Sequence, residues 1–177
     1  MNKTTSKENT MSKKFGVCAP MGFAFYFFVS WLITVIFTLM KKRLSFIENS
    51  FVYLLILIIS INFSWIISAE LRLVILSKHP LDYTAFMIHR SIGIPFILVV
   101  TLNLIKGVSS IGKSLLIAVC SILILVILVK LGAVLDITHR VKWNIINDFI
   151  YFAFLHLIAL YSLKFFRKSK QSEAISR

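Results

Sequence analysis

Long uncharged, apolar runs alternate with short polar segments along this chain of 177 residues. About 20 apolar residues at 1.5 Å per residue cross a hydrocarbon core of about 30 Å, so each long run is typical of a transmembrane helix. The runs predict membrane spans at about residues 20–40, 51–69, 91–107, 114–135 and 143–163. We therefore expect an all-α fold, a polytopic transmembrane bundle of about five helices that forms a single domain within residues 15–163.

The third run is the shortest of the five. Only Ser91–Ile105 is free of charge, whereas a span normally needs about 17–25 residues. If the segment re-enters instead of crossing, four spans remain, and this alternative gathers most Lys and Arg residues on one side, as the positive-inside rule expects. We nevertheless expect five spans, because residues 92–105 are so apolar that lipid is their natural solvent. With five spans the basic residues are almost evenly divided, and the orientation stays open.

Charge, histidine, proline and apolar residues are mixed in one interior stretch, Ala69–Arg90. Pro80 lacks a backbone donor and disfavours helical geometry in the residue before it, so we expect the second helix to run on and stop near Lys78. Tyr83–Arg90 then forms a short amphipathic piece at the membrane interface.

Polar tails flank the apolar domain. Residues 1–14 are mostly Lys, Ser, Thr and Asn, too polar to pack, and are predicted to be a disordered basic tail. Residues 164–177 form a second basic tail, which we expect to be solvated.

The composition reinforces the membrane interpretation. The chain is 58% hydrophobic and carries 20 Lys+Arg against 7 Asp+Glu, a net charge of +13. Such an excess can indicate nucleic-acid binding, but here the basic residues cluster at the ends of apolar runs, as at residues 41–43 and 164–170, where they can snorkel to anionic headgroups. The expected partners are a bilayer with anionic lipids and other membrane proteins or a second copy of the chain, and not nucleic acid.

The richness in Ile, Lys and Phe suits an AT-rich bacterial genome, so the expected location is a bacterial cell membrane. The two cysteines, Cys18 and Cys120, do not support a disulfide framework.

Three serines in the second run recur at every fourth position. Ser60, Ser64 and Ser68 therefore share one helical face. Small residues at this spacing favour a seam where another helix packs closely. The alternative is a hydrated pathway lined by these serines and Asn62.

Ionisable residues in or beside the spans are the candidates for a functional site, because such residues are costly in hydrocarbon. A polar cavity between helices is predicted from Glu70, Arg72, Asp148 and His156. Asp148 and His156 share a helical face about 12 Å apart, too far for direct contact.

Two short stretches resemble the histidine-bearing helices of small bacterial cytochromes of the b561 type, which hold haem between four helices. They are MIHRSIG at Met87–Gly93 and FLHLIA at Phe154–Ala159. The resemblance would make His89 and His156 haem ligands. That family also takes histidines from its first and third core helices, but the first and fourth apolar runs here contain none. We therefore expect no cofactor and keep His89 and His156 as weak cofactor-binding candidates.

Catalytic and metal-binding motifs are not found in the sequence. The F-x-x-x-H spacing of Phe152 and His156 resembles one family of prenyl-processing endopeptidases, but the paired glutamates of that family are missing, since Glu70 stands alone. No H-E-x-x-H, G-x-S-x-G or phosphate-binding loop occurs. Asp136 and Arg140 are expected to pair across one turn of a helix end.

These patterns leave two hypotheses about function. The first is a non-enzymatic accessory or partner-binding membrane protein. The second is a small transporter or a carrier of haem or protons that uses a polar cavity between helices.

Overall fold

A computed structural model describes the backbone of residues 4–77 and 79–175 and the side chains of residues 21–77, 79–169 and 171. Five helices in this part of the chain are long and apolar enough to cross a membrane, so the predicted all-α transmembrane bundle is confirmed. The five candidate spans are Met21–Leu39, Phe46–Glu70, Pro80–Lys106, Ile111–Val134 and Ile145–Ser169. Many large apolar side chains point outward from them, as expected for a membrane protein.

The elements follow one another in a simple order. They are α1 (Thr4–Leu39), α2 (Phe46–Trp65) with a π-turn (Ile66–Glu70), β1 (Val74–Leu76), α3 (Pro80–Ile88) with a π-turn (His89–Gly93), α4 (Ile94–Lys106), α5 (Ile111–Val134), β2 (Thr138–Arg140) and α6 (Ile145–Ile175). β1 and β2 pair antiparallel, with Val74 opposite Arg140. The pairing places the connections after the second and fourth spans at the same end of the bundle, here called the sheet end.

The third span is longer than the sequence predicts. It runs without a break from Pro80 to Lys106, so Tyr83–Arg90 belongs to the span and does not form a separate interfacial piece. His79 is the extended N-cap residue, and Pro80 occupies the first turn, where its missing N–H costs nothing. The hydropathy pattern places the start of this span too late, because the first turns contain charged residues and the pattern does not show which of them are buried.

This span lies at the centre of the bundle. It is 56% buried, against 17–28% for the other four, and α4 packs against α1, α2, α5 and α6. Leu98 and Leu102 are enclosed in one core with Ile56, Leu125 and Leu155. The re-entrant alternative is therefore wrong: the span that looked doubtful is the one on which the other helices pack.

The second helix ends earlier than predicted. Its π-turn stops at Glu70 and not near Lys78, which lies outside the described residues. Arg72 has a left-handed backbone with φ 48°, and Val74–Leu76 leaves as a strand. The pairing of β1 with β2 across the sheet end supplies the backbone hydrogen bonds that a longer helix would have made, and sequence periodicity cannot reveal such distant pairing.

Helical backbone extends into both polar tails, and the disordered state of the N-terminal tail and the solvation of the C-terminal tail stay predictions. The backbone is helical from Thr4, within the segment that composition predicts to be disordered, and it is helical to Ile175 in the C-terminal tail. The C-terminal tail contains no Gly or Pro, so helical geometry continues outward from its span, whereas at the other end the helix extends past Pro20 and Gly16. Residues 1–3 and 176–177 lie outside the described residues.

A buried amide pair closes the bundle at the end opposite the sheet. Asn103 Oδ1 accepts from the backbone N–H groups of Arg43 and Leu44 at 2.9 and 3.1 Å. Its Nδ2 donates to Asn49 Oδ1 at 2.7 Å and to the Val99 carbonyl at 2.9 Å. The loop between the first two spans is thus held against α4 by one side chain.

Replacing Asn103 by Ala is expected to lower the free energy of unfolding by about 1–3 kcal/mol, because it leaves two backbone N–H groups and Asn49 Oδ1 without partners. Thermal unfolding of the purified protein in detergent measures the loss. Asn62→Ala is the matched control, since Asn62 is exposed and its side chain bonds only to the Ile58 carbonyl of its own helix. Equal effects of the two substitutions would contradict the proposed role of Asn103.

Candidate functional site

A cavity of about 110 Å³ lies between α2, α3 and α6 near the sheet end. A buried site needs about 10–15 Å³ of such volume to hold one water, so this space admits several waters or a small polar group. Its lining residues are Ser60, Phe63, Ser64, Ile67, Ser68, Val74, Leu76, Phe86, His89, Arg90, Ile94, Val129, Thr138, Arg140, Trp143, Asp148, Tyr151 and Phe152. We call it the central cavity.

The serine stripe of the second span faces this cavity. Ser60, Ser64 and Ser68 all line it, so the face predicted as a packing seam borders the cavity. Ser68 Oγ donates to the Ser64 carbonyl at 2.7 Å, the usual way in which a hydroxyl is satisfied inside a membrane helix. Asn62, which the hydrated-pathway alternative included, is exposed and does not line the cavity.

An ion pair forms one wall. Arg140 Nη1 donates to Asp148 Oδ2 at 2.7 Å, and Trp143 Nε1 donates to Asp148 Oδ1 at 2.8 Å. The side chains of Arg140 and Asp148 are 16% and 6% exposed, so the pair is largely removed from water. Arg140 Nη2 is buried without a protein partner in the described part of the chain. Each oxygen of the carboxylate therefore accepts one hydrogen bond, while the guanidinium keeps an N–H group to offer.

His89 faces the cavity from the π-turn of the third span. It is 4% exposed, and neither ring nitrogen has a hydrogen-bond partner among the described residues. The Tyr26 ring lies 4.8 Å from it, centroid to centroid. A Cβ at Gly93 would come within 2.9 Å of His89 Nδ1, so the glycine makes room for the imidazole.

Arg90 adds a second cation to the lining. Its Nη2 lies 2.8 Å from Met87 Sδ, its guanidinium carbon lies 5.5 Å from the Phe86 ring centroid, and its Nε is buried without a partner. Within the described residues, ion pairs join only Arg140 to Asp148 and Arg167 to Glu48. Arg90 thus has no carboxylate partner there, and the charged lining of the cavity carries a net positive charge.

The predicted polar-cavity residues are only partly brought together. Asp148 lines the central cavity, and so does His89, a weak cofactor-binding candidate. Glu70 and Arg72 are exposed at the sheet end and do not line it. His156 is buried elsewhere in the bundle. The predicted Asp136–Arg140 pair at a helix end is wrong, because Arg140 lies in β2 and its side chain turns to Asp148.

His156 is held by a chain of hydrogen bonds between three helices. Its Nδ1 lies 2.7 Å from the Phe152 carbonyl, which can only accept, so Nδ1 carries the hydrogen. In the neutral ring Nε2 then accepts from Ser121 Oγ at 3.0 Å. Thr101 Oγ1 lies 2.8 Å from Ser121 Oγ and 2.7 Å from the Ile97 carbonyl, and its single hydrogen can go to either one. Both nitrogens of His156 are occupied, so the haem ligand pair that the cytochrome resemblance implies does not fit this arrangement.

Sequence reasoning missed Arg90 and Arg140. The sequence pattern places Arg90 in an amphipathic piece at the membrane interface and pairs Arg140 with Asp136. The partial burial of Arg90 depends on the early start of the third span at Pro80, which the sequence pattern does not show. The described residues contain no cluster of three or more His, Cys, Asp or Glu placed to hold a metal ion.

Comparisons with protein-family models, with curated proteins and with solved structures give no match for this chain. The geometry of the cavity is therefore the basis on which a function is proposed below.

Removing the His156–Ser121 hydrogen bond is expected to show energetic coupling. In a double-mutant cycle of Ser121→Ala and His156→Ala, the two losses of stability should fall short of additivity by about 0.5–1.5 kcal/mol, the range for buried hydrogen bonds in membrane bundles. Reversible unfolding in mixed detergents measures the cycle. Ser114→Ala is the control partner, because Ser114 Oγ bonds only to the Ser110 carbonyl. Additive losses for Ser121 and His156 would contradict the chain.

Proposed function

We propose that this chain is a multi-pass protein of the cell membrane that binds an anionic group in the central cavity, acting as a binding protein or carrier and not as an enzyme. The observation that carries the proposal is the partly buried side chain of Arg90, whose enclosed Nε has no hydrogen-bond partner and whose guanidinium lines the cavity with no carboxylate partner among the described residues.

The energetics of burial support an anionic ligand. Holding an arginine in low-dielectric surroundings costs several kcal/mol unless an opposite charge compensates it. Asp148 is the acidic residue of the cavity lining, and both of its oxygens are occupied by Arg140 and Trp143. An anion in the cavity would supply the missing negative charge.

The donors around the cavity suit phosphate or carboxylate. Arg90 Nε and Arg140 Nη2 are N–H groups without partners, and planar guanidinium groups bind such oxyanions with paired hydrogen bonds. His89 adds a ring nitrogen that can donate, and Ser60 Oγ adds a hydroxyl. These groups come from α2, the third span and β2, so binding would draw three elements together.

The function expected first from the sequence, a partner-binding accessory role, stays a prediction, as does the bacterial origin. The second hypothesis, with its polar cavity between helices, is the one that the cavity supports, but with Arg90, Arg140 and His89 in place of Glu70 and Arg72.

Replacing Arg90 by Met is expected to weaken anion binding without lowering stability. In phosphatidylcholine nanodiscs, inorganic phosphate or dodecyl phosphate should raise the melting temperature of the wild-type protein, and Arg90→Met should weaken that binding at least tenfold. Without ligand the variant should melt at or above the wild-type temperature, because a partly buried charge without a carboxylate partner is gone.

Arg72→Met is the matched control, an exposed arginine at the same end of the bundle, and should bind like the wild type. Arg140→Met should instead lower the melting temperature, since it leaves Asp148 unpaired. Failure of both phosphate probes to bind the wild-type protein, or unchanged binding by Arg90→Met, would overturn the proposed function.

A further inference from the structure

A groove opens on the bundle surface beside the central cavity. It has a volume of about 630 Å³ and lies between the end of α5 and the start of α6. Its lining residues are Lys130, Ala133, Val134, Arg140, Trp143, Asn144, Ile145 and Ile146. We call it the α5–α6 groove.

The groove and the central cavity share a wall. Arg140 and Trp143 line both spaces, one from β2 and the other from the connection that follows it. The Arg140–Asp148 ion pair and the Trp143 indole therefore lie between the interior of the bundle and its surface. A group bound to Arg140 can be contacted from either side.

The two parts of the groove differ in character. Val134 and Ile146 form an apolar part and are 75% and 69% exposed, which places them towards lipid in a membrane. Lys130, Arg140 and Asn144 form a polar part. Trp143 is of the residue type that concentrates at the boundary between hydrocarbon and headgroups. The groove thus offers an apolar path beside a basic end, at the depth where lipid heads lie.

We infer that the ligand of the central cavity is the head of an anionic lipid, a phosphate or carboxylate on a long hydrocarbon chain, which enters sideways through the α5–α6 groove. This inference rests on the proposed function. The head pairs with Arg140 and Arg90, and the chain runs out over Ala133 and Ile146 into the bilayer.

The geometry favours a lipid over a free anion. A water-soluble anion needs no apolar channel, whereas Ala, Val, Ile and Trp make up five of the eight residues lining the groove, and apolar or aromatic side chains make up ten of the eighteen lining the central cavity. Each methylene placed against such a surface contributes about 0.8 kcal/mol. Lys130, at the groove, adds attraction for an anionic head at the membrane surface, where a basic residue contributes about 1 kcal/mol.

Blocking the groove separates the two sources of phosphate. In phosphatidylcholine nanodiscs, dodecyl phosphate should bind the wild-type protein at least tenfold more tightly than inorganic phosphate. Ala133→Phe should weaken dodecyl phosphate about tenfold and leave inorganic phosphate unchanged, because the phenyl ring occupies the path of the chain. Ala118→Phe is the matched control, since Ala118 lies on the same helix, is also half-buried and lies outside the groove. It should change neither affinity.

The outcomes distinguish the two proposals. If inorganic phosphate binds as tightly as dodecyl phosphate, or if Ala133→Phe leaves dodecyl phosphate binding unchanged, the lipid inference is wrong and the anion-binding function stands. If Ala133→Phe weakens the binding of both probes equally, the lateral route is also wrong, because the substitution then does not act on the hydrocarbon chain of dodecyl phosphate. If neither probe binds the wild-type protein, both proposals are wrong.

Discussion

The ion pair between Arg140 and Asp148 determines how the sheet end of the bundle sits on its helices. Arg140 is the last residue of β2, and its backbone faces Val74 of β1 while its side chain reaches Asp148 in the first turn of α6. Arg140 therefore links the two loops that contain β1 and β2 to the membrane span of α6. Because the two charged groups are largely buried, removing either one would leave the other uncompensated at a cost of about 3–5 kcal/mol. The same ion pair lines the central cavity, so the site and the sheet end of the bundle depend on one contact.

The π-turn at His89–Gly93 explains why charged side chains face the interior of the third span. Pro95 has no N–H, so the Ser91 carbonyl loses its helical partner, and Tyr53 Oη donates to it at 3.0 Å. An extra residue in a helical turn rotates everything before it by about 100° relative to a regular helix. His89 and Arg90 are thereby directed inward while α4 still packs on the core. Such turns are frequent at functional sites, where an irregular backbone is kept for the side chain that it presents.

The sequence predicted the architecture because apolar length is a local property: hydrocarbon thickness sets the length of each run, whatever its neighbours are. The sequence pattern did not reveal the site, because the burial of a charged side chain depends on how the helices pack together. Arg90 is interfacial by pattern and interior only because the span begins at Pro80, and Arg140 meets Asp148 only through the β1–β2 pairing. The spacing of the serines identified the face of α2 that points into the bundle, but it did not show that this face lines a cavity. Glu70 and Arg72 are adjacent to that face in sequence, yet the chain turns away at the left-handed Arg72, which leaves both exposed.

The net positive charge of the residues lining the central cavity is the feature that favours a binding function. A bundle selected for stability alone would place Leu or Met at position 90, since burying an arginine without a carboxylate opposes folding. Water in a space of about 110 Å³ solvates Arg90 only in part. An oxyanion at about 4 Å would gain about 4 kcal/mol of attraction at an effective dielectric of 20, which is comparable to the cost of holding the cation there. On the proposed function, an anion in the cavity would therefore offset the cost of the partly buried cation, and Arg90 would couple ligand binding to the stability of the bundle.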